Sequence, residues 1–114
     1  MTQPTDTAGR RRYPRARVDF DADVWVNHGD ETILIFGRLV VLGAGGAFLE
    51  LGESYAIGSL LRLRFSTAEL GEIACQVIVR SSLEGTGVGT EFLGLDLHDH
   101  ARIKTFVEKT ISNT

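Results

Sequence analysis

Five arginines near the N-terminus are the residues best suited to bind an anionic ligand: Arg10, Arg11, Arg12, Arg15 and Arg17. Arg11 and Arg15 form an RxxxR pair, and Pro14 between them disfavours a helix at this point. We therefore expect the arginines on an extended or turned segment that leads into the first strand. Guanidinium groups bind phosphate oxygens and the O6/N7 edge of guanine bidentately, and they stack on base faces. A solvated basic tail or a nonspecific nucleic-acid arm is the alternative interpretation.

The second candidate is the break Gly43-Ala44-Gly45-Gly46 between two apolar runs. Glycine costs conformational entropy on folding, so three glycines in four positions need a structural reason. A strand-to-strand turn in which glycines supply positive φ is the simplest interpretation. The alternative is a bare backbone that lets a flat or anionic group approach the N–H donors. No helix pattern follows directly, so this is not a dinucleotide-binding or P-loop fingerprint.

Residues for catalysis are scarce. His98 and His100 are two residues apart, but no third metal ligand is obvious, and a solvated surface is the favoured interpretation. The single Cys75 cannot form an internal disulfide, and its strand-like surroundings indicate a small buried hydrophobe. The carboxylates are scattered, and no serine has a nucleophile-elbow context. We expect no enzyme activity and no metal site.

Charge is unevenly distributed along the 114 residues, whose net charge is −3. Residues 1–17 carry five arginines and Asp6, a net charge of +4, whereas residues 18–114 carry seven basic and fourteen acidic side chains, a net charge of −7. A basic arm on an acidic body indicates a local anion site, so nucleic acid is an unlikely partner. No apolar run approaches the roughly 20 residues of a membrane span, and no signal peptide is evident. These features predict a soluble cytoplasmic protein.

Period-two alternation predicts a mostly β fold. Apolar residues recur at every second position from Val18 to Val26, and "LLRLRF", "EIACQVIVR" and "VGTEFLGL" also read as strands. The long run "TILIFGRLVVL" contains Gly37, a position typical of a bulge or barrel bend. Short strands separated by glycine-rich turns predict a sandwich or a small barrel.

A helix is predicted at the C-terminus. Ile103, Phe106, Val107, Thr110 and Ile111 fall on one helical face. Asp99 is the predicted N-cap. A helix over one mouth of a closed barrel would complete the domain.

The order of these features resembles the PilZ domain family. "RRRYPRARVDF" resembles the family's first motif, with Arg11 and Arg15 in its arginine positions. "VVLGAGGAFLEL" aligns with its second motif, [D/N]xSxxG, with Gly46 as the final glycine. "GVGTEFLGL" resembles the closing strand before the C-terminal helix. The resemblance implies a six-stranded antiparallel PilZ-type β-barrel with a C-terminal α-helix over residues 10–113, after a disordered tail at residues 1–9.

The resemblance also implies a ligand, the bacterial second messenger cyclic di-GMP, and no other cofactor. In the family the arginines hold guanine edges and phosphates, and the second motif contacts a guanine from the other side. The site residues implied here are Arg11, Arg12, Arg15, Gly43 and Gly46.

The second motif departs from the family pattern, because Val41 and Gly43 occupy its Asp/Asn and Ser positions. Losing one polar partner of a buried ligand costs about 1–3 kcal/mol. Two such losses weaken binding by roughly two to four decades.

Two functions follow from the resemblance. The first is a cyclic di-GMP receptor that orders its arginine arm on binding and signals to an unidentified protein partner by contact. The second is a degenerate PilZ adaptor that binds no nucleotide and acts only through protein–protein contacts.

Overall fold

The chain folds into a closed β-barrel. The structure is a computed structural model that describes residues 14–112. Six strands and one helix make up this part of the chain: β1 Arg15–His28, β2 Glu31–Gly43, β3 Gly46–Glu50, β4 Leu60–Thr67, β5 Gly71–Leu83, β6 Gly87–Leu93 and α1 Leu97–Ser112. All pairings are antiparallel in the order β1-β2-β3-β6-β5-β4, and β4 returns to β1. The predicted six-stranded antiparallel barrel with a C-terminal helix is confirmed.

The alternating residues of the sequence become the two faces of the barrel wall. On β4, Leu61, Leu63 and Phe65 are buried, while Arg62 and Arg64 are exposed. Cys75 on β5 is buried among the apolar core residues, as the sequence predicted. The alternation of apolar and polar residues therefore indicates a sheet with one face on the core and the other in solvent.

The helix α1 packs against β1 and β2. Its Ile103 and Val107 are buried in the core, and the Phe106 ring lies 5.9 Å from the ring of Phe20. The predicted apolar face is confirmed for these residues, whereas Ile111 is 40% exposed and the predicted cap is wrong. Asp96 caps the helix, because its Oδ1 accepts a hydrogen bond of 2.7 Å from the backbone N–H of Asp99. Asp99 instead accepts a side-chain hydrogen bond from Arg102.

Of the two interpretations of Gly37, a bulge or a barrel bend, the bulge is wrong. Its neighbours pair with β1 in continuous register, and the irregularities lie elsewhere, between Arg17 and Phe20 on β1 and between Leu39 and Val41 on β2. A Cβ at Gly37 would lie 2.7 Å from the carbonyl oxygen of Glu50. Close approach of the last residue of β3 therefore explains this glycine.

Within residues 14–112, no helix is both long and apolar enough to cross a bilayer. The predicted tail at residues 1–9 and the arginines Arg10, Arg11 and Arg12 lie outside the described residues.

Candidate functional site

The start of β1 and the end of β2 bring the two predicted motifs together. Arg15 is the direct cross-strand partner of Gly43 in the β1–β2 pairing. Arg15 is exposed, whereas Gly43 is buried. A Cβ at Gly43 would lie 3.4 Å from Cγ of Arg15 and 3.0 Å from the carbonyl oxygen of Pro14. Two segments almost thirty positions apart in sequence therefore form one surface.

The glycine turn is shaped by close packing and not by positive φ. Ala44 and Gly45 form the bend between β2 and β3, and none of the three glycines has a positive φ. The expectation of positive φ was wrong. A Cβ at Gly46 would overlap the carbonyl oxygen of Thr90 on β6. The carbonyl oxygen of Gly45 accepts a 2.9 Å hydrogen bond from the N–H of Phe92. The lack of a side chain at Gly46 is thus needed for the turn to pack against β6.

Val41 lies at the centre of the surface beside the turn. It is half-buried and pairs with Arg17 on β1 and with Phe48 on β3. The row continues from Phe48 to Gly89 on β6 and from Gly89 to Ser81 on β5. Because directly paired residues share a face, these five residues form one row across the outer wall. In the alignment of the second motif proposed from the sequence, this aliphatic side chain takes the position of the Asp or Asn.

Phe48, Gly89 and Ser81 were not predicted as site residues. They become neighbours only through the register of four strands, and a single sequence carries no signal for that register. A Cβ at Gly89 would overlap Oγ of Ser81 and lie 3.8 Å from Cδ2 of Phe48, so this glycine leaves room for the Ser81 hydroxyl near the Phe48 ring. An aromatic ring beside a bare glycine offers a flat, partly apolar surface.

Some arginines near this surface form ion pairs with acidic side chains, and others do not. Among residues 14–112, neither Arg15 nor Arg17 makes an ion pair. On β5, Arg80 donates a 2.7 Å hydrogen bond to Glu91, which is the cross-strand partner of Gly46. Arg38, further along β2, donates to Asp19 at 2.7 Å, and this bond raises the pKa of its guanidinium. Arg15 and Arg17 are thus the arginines beside the β2–β3 turn that remain available to an anionic ligand.

The remaining chemical candidates do not join this surface. Burial raises the pKa of the Cys75 thiol to about 11, so the thiol is protonated at neutral pH. No cluster of three or more metal-ligating side chains is found among the described residues. Arg15, Gly43 and Gly46 of the predicted set therefore lie together, while Arg11 and Arg12 remain predictions outside the described range.

Comparison with known proteins gives one family. The model of the PilZ domain family matches residues 9–109. No curated protein sequence matches the chain significantly.

Three solved structures show the same fold. The inhibitor of motility MotI/DgrA of Bacillus subtilis has a TM-score of 0.76 at 22% identity, over 92% of this chain and 53% of its own. The PilZ domain with c-di-GMP of YcgR from Escherichia coli has a TM-score of 0.70 at 14% identity, over 91% and 93%. The MrkH–c-di-GMP complex of K. pneumoniae has a TM-score of 0.67 at 23% identity, over 91% and 52%. The chain thus spans about half the length of MotI/DgrA and MrkH.

Proposed function

The chain belongs to the PilZ domain family, and from this premise we propose that it is a cyclic di-GMP receptor that signals by protein contact. The ligand would occupy the outer surface between the start of β1 and the β2–β3 turn. The residues that bind the ligand there would be Arg15, Gly43 and Gly46, with Arg11 and Arg12 from the segment before β1. Residues 10–113 would form the PilZ domain and residues 1–9 a disordered tail.

The observation that carries this proposal is the pairing of Arg15 with Gly43. It places an exposed arginine without an ion-pair partner on the described surface directly beside the turn of the second motif. Cyclic di-GMP presents two phosphates and two guanines, and both groups accept bidentate hydrogen bonds from guanidinium. The chain continues from Pro14 toward Arg12 and Arg11, so these arginines are covalently tethered to the same place.

Signalling would arise from ordering of the arginine arm. Cyclic di-GMP binds the arm and the barrel wall together, and it therefore favours states in which the arm lies against the wall. Ordering a polar segment on binding costs conformational entropy, which the charged hydrogen bonds must offset. The bound arm and ligand would then present a new surface to a protein partner.

Trypsin tests this ordering, because it cleaves after arginine. Cyclic di-GMP at saturation should slow cleavage after Arg10, Arg11 and Arg12 at least five-fold, whereas GTP at the same concentration should not. Cleavage after Lys109, an exposed lysine in the last turn of α1, serves as the internal control. Equal cleavage of the arm with and without the ligand would overturn the ordering mechanism.

Val41 favours a second candidate, the degenerate adaptor that binds no nucleotide. Its aliphatic side chain is half-buried between Arg17 and Phe48, where a guanine edge would need a carboxylate or amide. In this case the row from Arg17 to Ser81 would serve protein contacts alone. A direct titration with cyclic di-GMP separates the two candidates.

A further inference from the structure

The strand β2 has an edge that no described strand covers. β1 pairs with β2 along its length, from Glu31 to Gly43. On the other side, β3 pairs only with Arg38 to Leu42. Among residues 14–112, the opposite edge of Glu31–Phe36 therefore has no strand beside it, although the barrel is closed elsewhere. Alternate backbone N–H and C=O groups along this stretch point away from β1 and can pair with another strand.

This free edge is apolar on both faces. Ile33 and Ile35 pair with the buried Val26 and Val24, so they lie on the core face. Leu34 and Phe36 lie on the outer face, where they are 40% and 75% exposed. The four consecutive apolar residues from Ile33 to Phe36 thus lie at one open edge, and each of them is at least partly exposed.

The usual protections of an edge strand are missing here. Proteins blunt open edges with lysine, proline or bulges. Thr32 to Phe36 contains no charge and no proline, and its pairing with β1 runs without a register shift. A short, uncharged segment of high β-propensity at an open edge is an aggregation hazard unless something covers it.

We propose that the β2 edge from Glu31 to Phe36 accepts a strand from a partner protein by β-augmentation. The edge holds about six residues, a length of about 20 Å. Main-chain hydrogen bonds would provide affinity, and alternate side chains of the added strand would pack on the two apolar faces. This surface lies at the opposite end of β2 from Gly43 and does not depend on nucleotide binding.

The register of β2 disfavours a second copy of this chain as the occupant. Antiparallel self-pairing centred on Leu34 would place the partner copy's turn residue Asp30 opposite Arg38. That position is already filled by Glu50 of β3. A shift to a centre at Ile33 would remove the clash, but it would set Asp30 and Glu31 of one copy against Phe36 and Ile35 of the other. A carboxylate placed over apolar residues is desolvated without compensation.

The charges at the two ends of the edge indicate the chemistry of the partner. Asp30 and Glu31 lie at one end, and Glu50, the cross-strand partner of Arg38, lies at the other; all three are exposed. Arg38, which follows the edge on β2, is held by Asp19 and Asp21. The strand that fits is therefore apolar or β-branched in its centre and carries lysine or arginine at its ends.

Hydrogen exchange of the free, full-length protein tests whether the edge is open. Every second amide between Thr32 and Phe36 should exchange rapidly, while the intervening amides that pair with β1 should be protected. Protection of all five amides at micromolar concentration would overturn the proposal. If the protein were then also a dimer by mass, a second copy would cover the edge. If it were a monomer, a segment of the chain itself would cover the edge.

A displayed library of random nine-residue peptides tests the partner's chemistry. Peptides selected on the full-length protein should alternate β-branched residues, carry basic ends and protect the amides of Thr32–Phe36 on binding. Leu34→Lys and Phe36→Lys should each weaken binding at least ten-fold. Leu97→Lys, at an exposed leucine on α1, is the matched control and should leave binding unchanged. Failure to select such peptides, or equal binding to Phe36→Lys and to the control, would overturn the proposal.

Discussion

Arg15 and Gly43 face each other across the β1–β2 pair, and this contact joins the two motifs into one surface. The exposed guanidinium belongs to β1, and the crowded glycine belongs to the last position of β2. The same contact explains why Gly43 has no side chain, since a Cβ there would press on Pro14 and Arg15.

Arg15→Ala should weaken cyclic di-GMP binding by roughly 10- to 150-fold, since a hydrogen bond to a charged group contributes about 1.5–3 kcal/mol. Stability should change little, because Arg15 is exposed and makes no ion pair among the described residues. Calorimetric titration and a thermal melt of the variant check both statements. Arg62→Ala, an exposed arginine on β4 away from the site, is the control and should bind normally. A large drop in melting temperature for Arg15→Ala would show instead that Arg15 is structural.

Val41→Asp should tighten cyclic di-GMP binding by about ten-fold or more, because it restores a carboxylate for the guanine edge, a partner worth about 1–3 kcal/mol. Val41→Ala removes the same methyl groups without adding a carboxylate, so it should not tighten binding. Gly43→Ser should help less, because its Cβ would lie only 3.0 Å from the Pro14 carbonyl oxygen and the chain must shift. Unchanged affinity of a folded Val41→Asp protein would contradict the alignment of the second motif.

Gly46→Ala should destabilise the protein by about 1–3 kcal/mol, the usual cost of forcing extra atoms into a packed site. Its Cβ would overlap the Thr90 carbonyl oxygen, a backbone atom held within the β3–β6 pairing. Gly43→Ala is the matched control, since its nearest contact is 3.0 Å and a smaller loss is expected. Urea unfolding of both variants measures the difference, and equal losses would show that the turn yields easily.

Cys75 should resist thiol reagents in the native protein and react only on unfolding. Burial raises its pKa to about 11 from an ordinary value of 9.0, so the reactive thiolate is scarce at pH 8. Ellman's reagent in native buffer and in urea measures this directly. Rapid reaction in native buffer would show that the β5 strand opens readily.

The raised thiol pKa also sets a pH dependence. The folded state holds its proton more tightly than the unfolded state, so the stabilising contribution is present below pH 9 and is lost as the pH rises towards 11. The difference in stability between the native sequence and Cys75→Ala should therefore shrink over this range. A difference that stays constant would indicate that the thiol titrates normally.

The sequence predicted the strands well because the barrel wall has one apolar face, and β4 shows this most directly in Leu61, Leu63 and Phe65. It did not predict which residues meet across strands. The register shift between Arg17 and Phe20 depends on the packing of the whole barrel, and it fixes Arg15 opposite Gly43. Asp96 and Asp99 were equally good caps by residue type, and only the start of the helix decides between them.

The candidate site was predictable only in part, for the same reason. Arg15, Gly43 and Gly46 could be chosen from motif order, and the alignment of the second motif predicts that Val41 takes the place of an Asp or Asn. The neighbours Phe48, Gly89 and Ser81 depend on pairing between distant strands. The free β2 edge likewise follows from the short length of β3, which a sequence pattern does not reveal.

The most direct test of the central claim is calorimetric titration of the full-length protein with cyclic di-GMP, with GTP as the control. The receptor function predicts saturable binding with a dissociation constant in the micromolar range or tighter, and no heat with GTP. Such a result would mean that the arginines and the bare turn suffice without the second motif's side chains. No heat and no thermal shift at hundreds of micromolar would contradict the receptor function and leave the adaptor as the role of this PilZ domain.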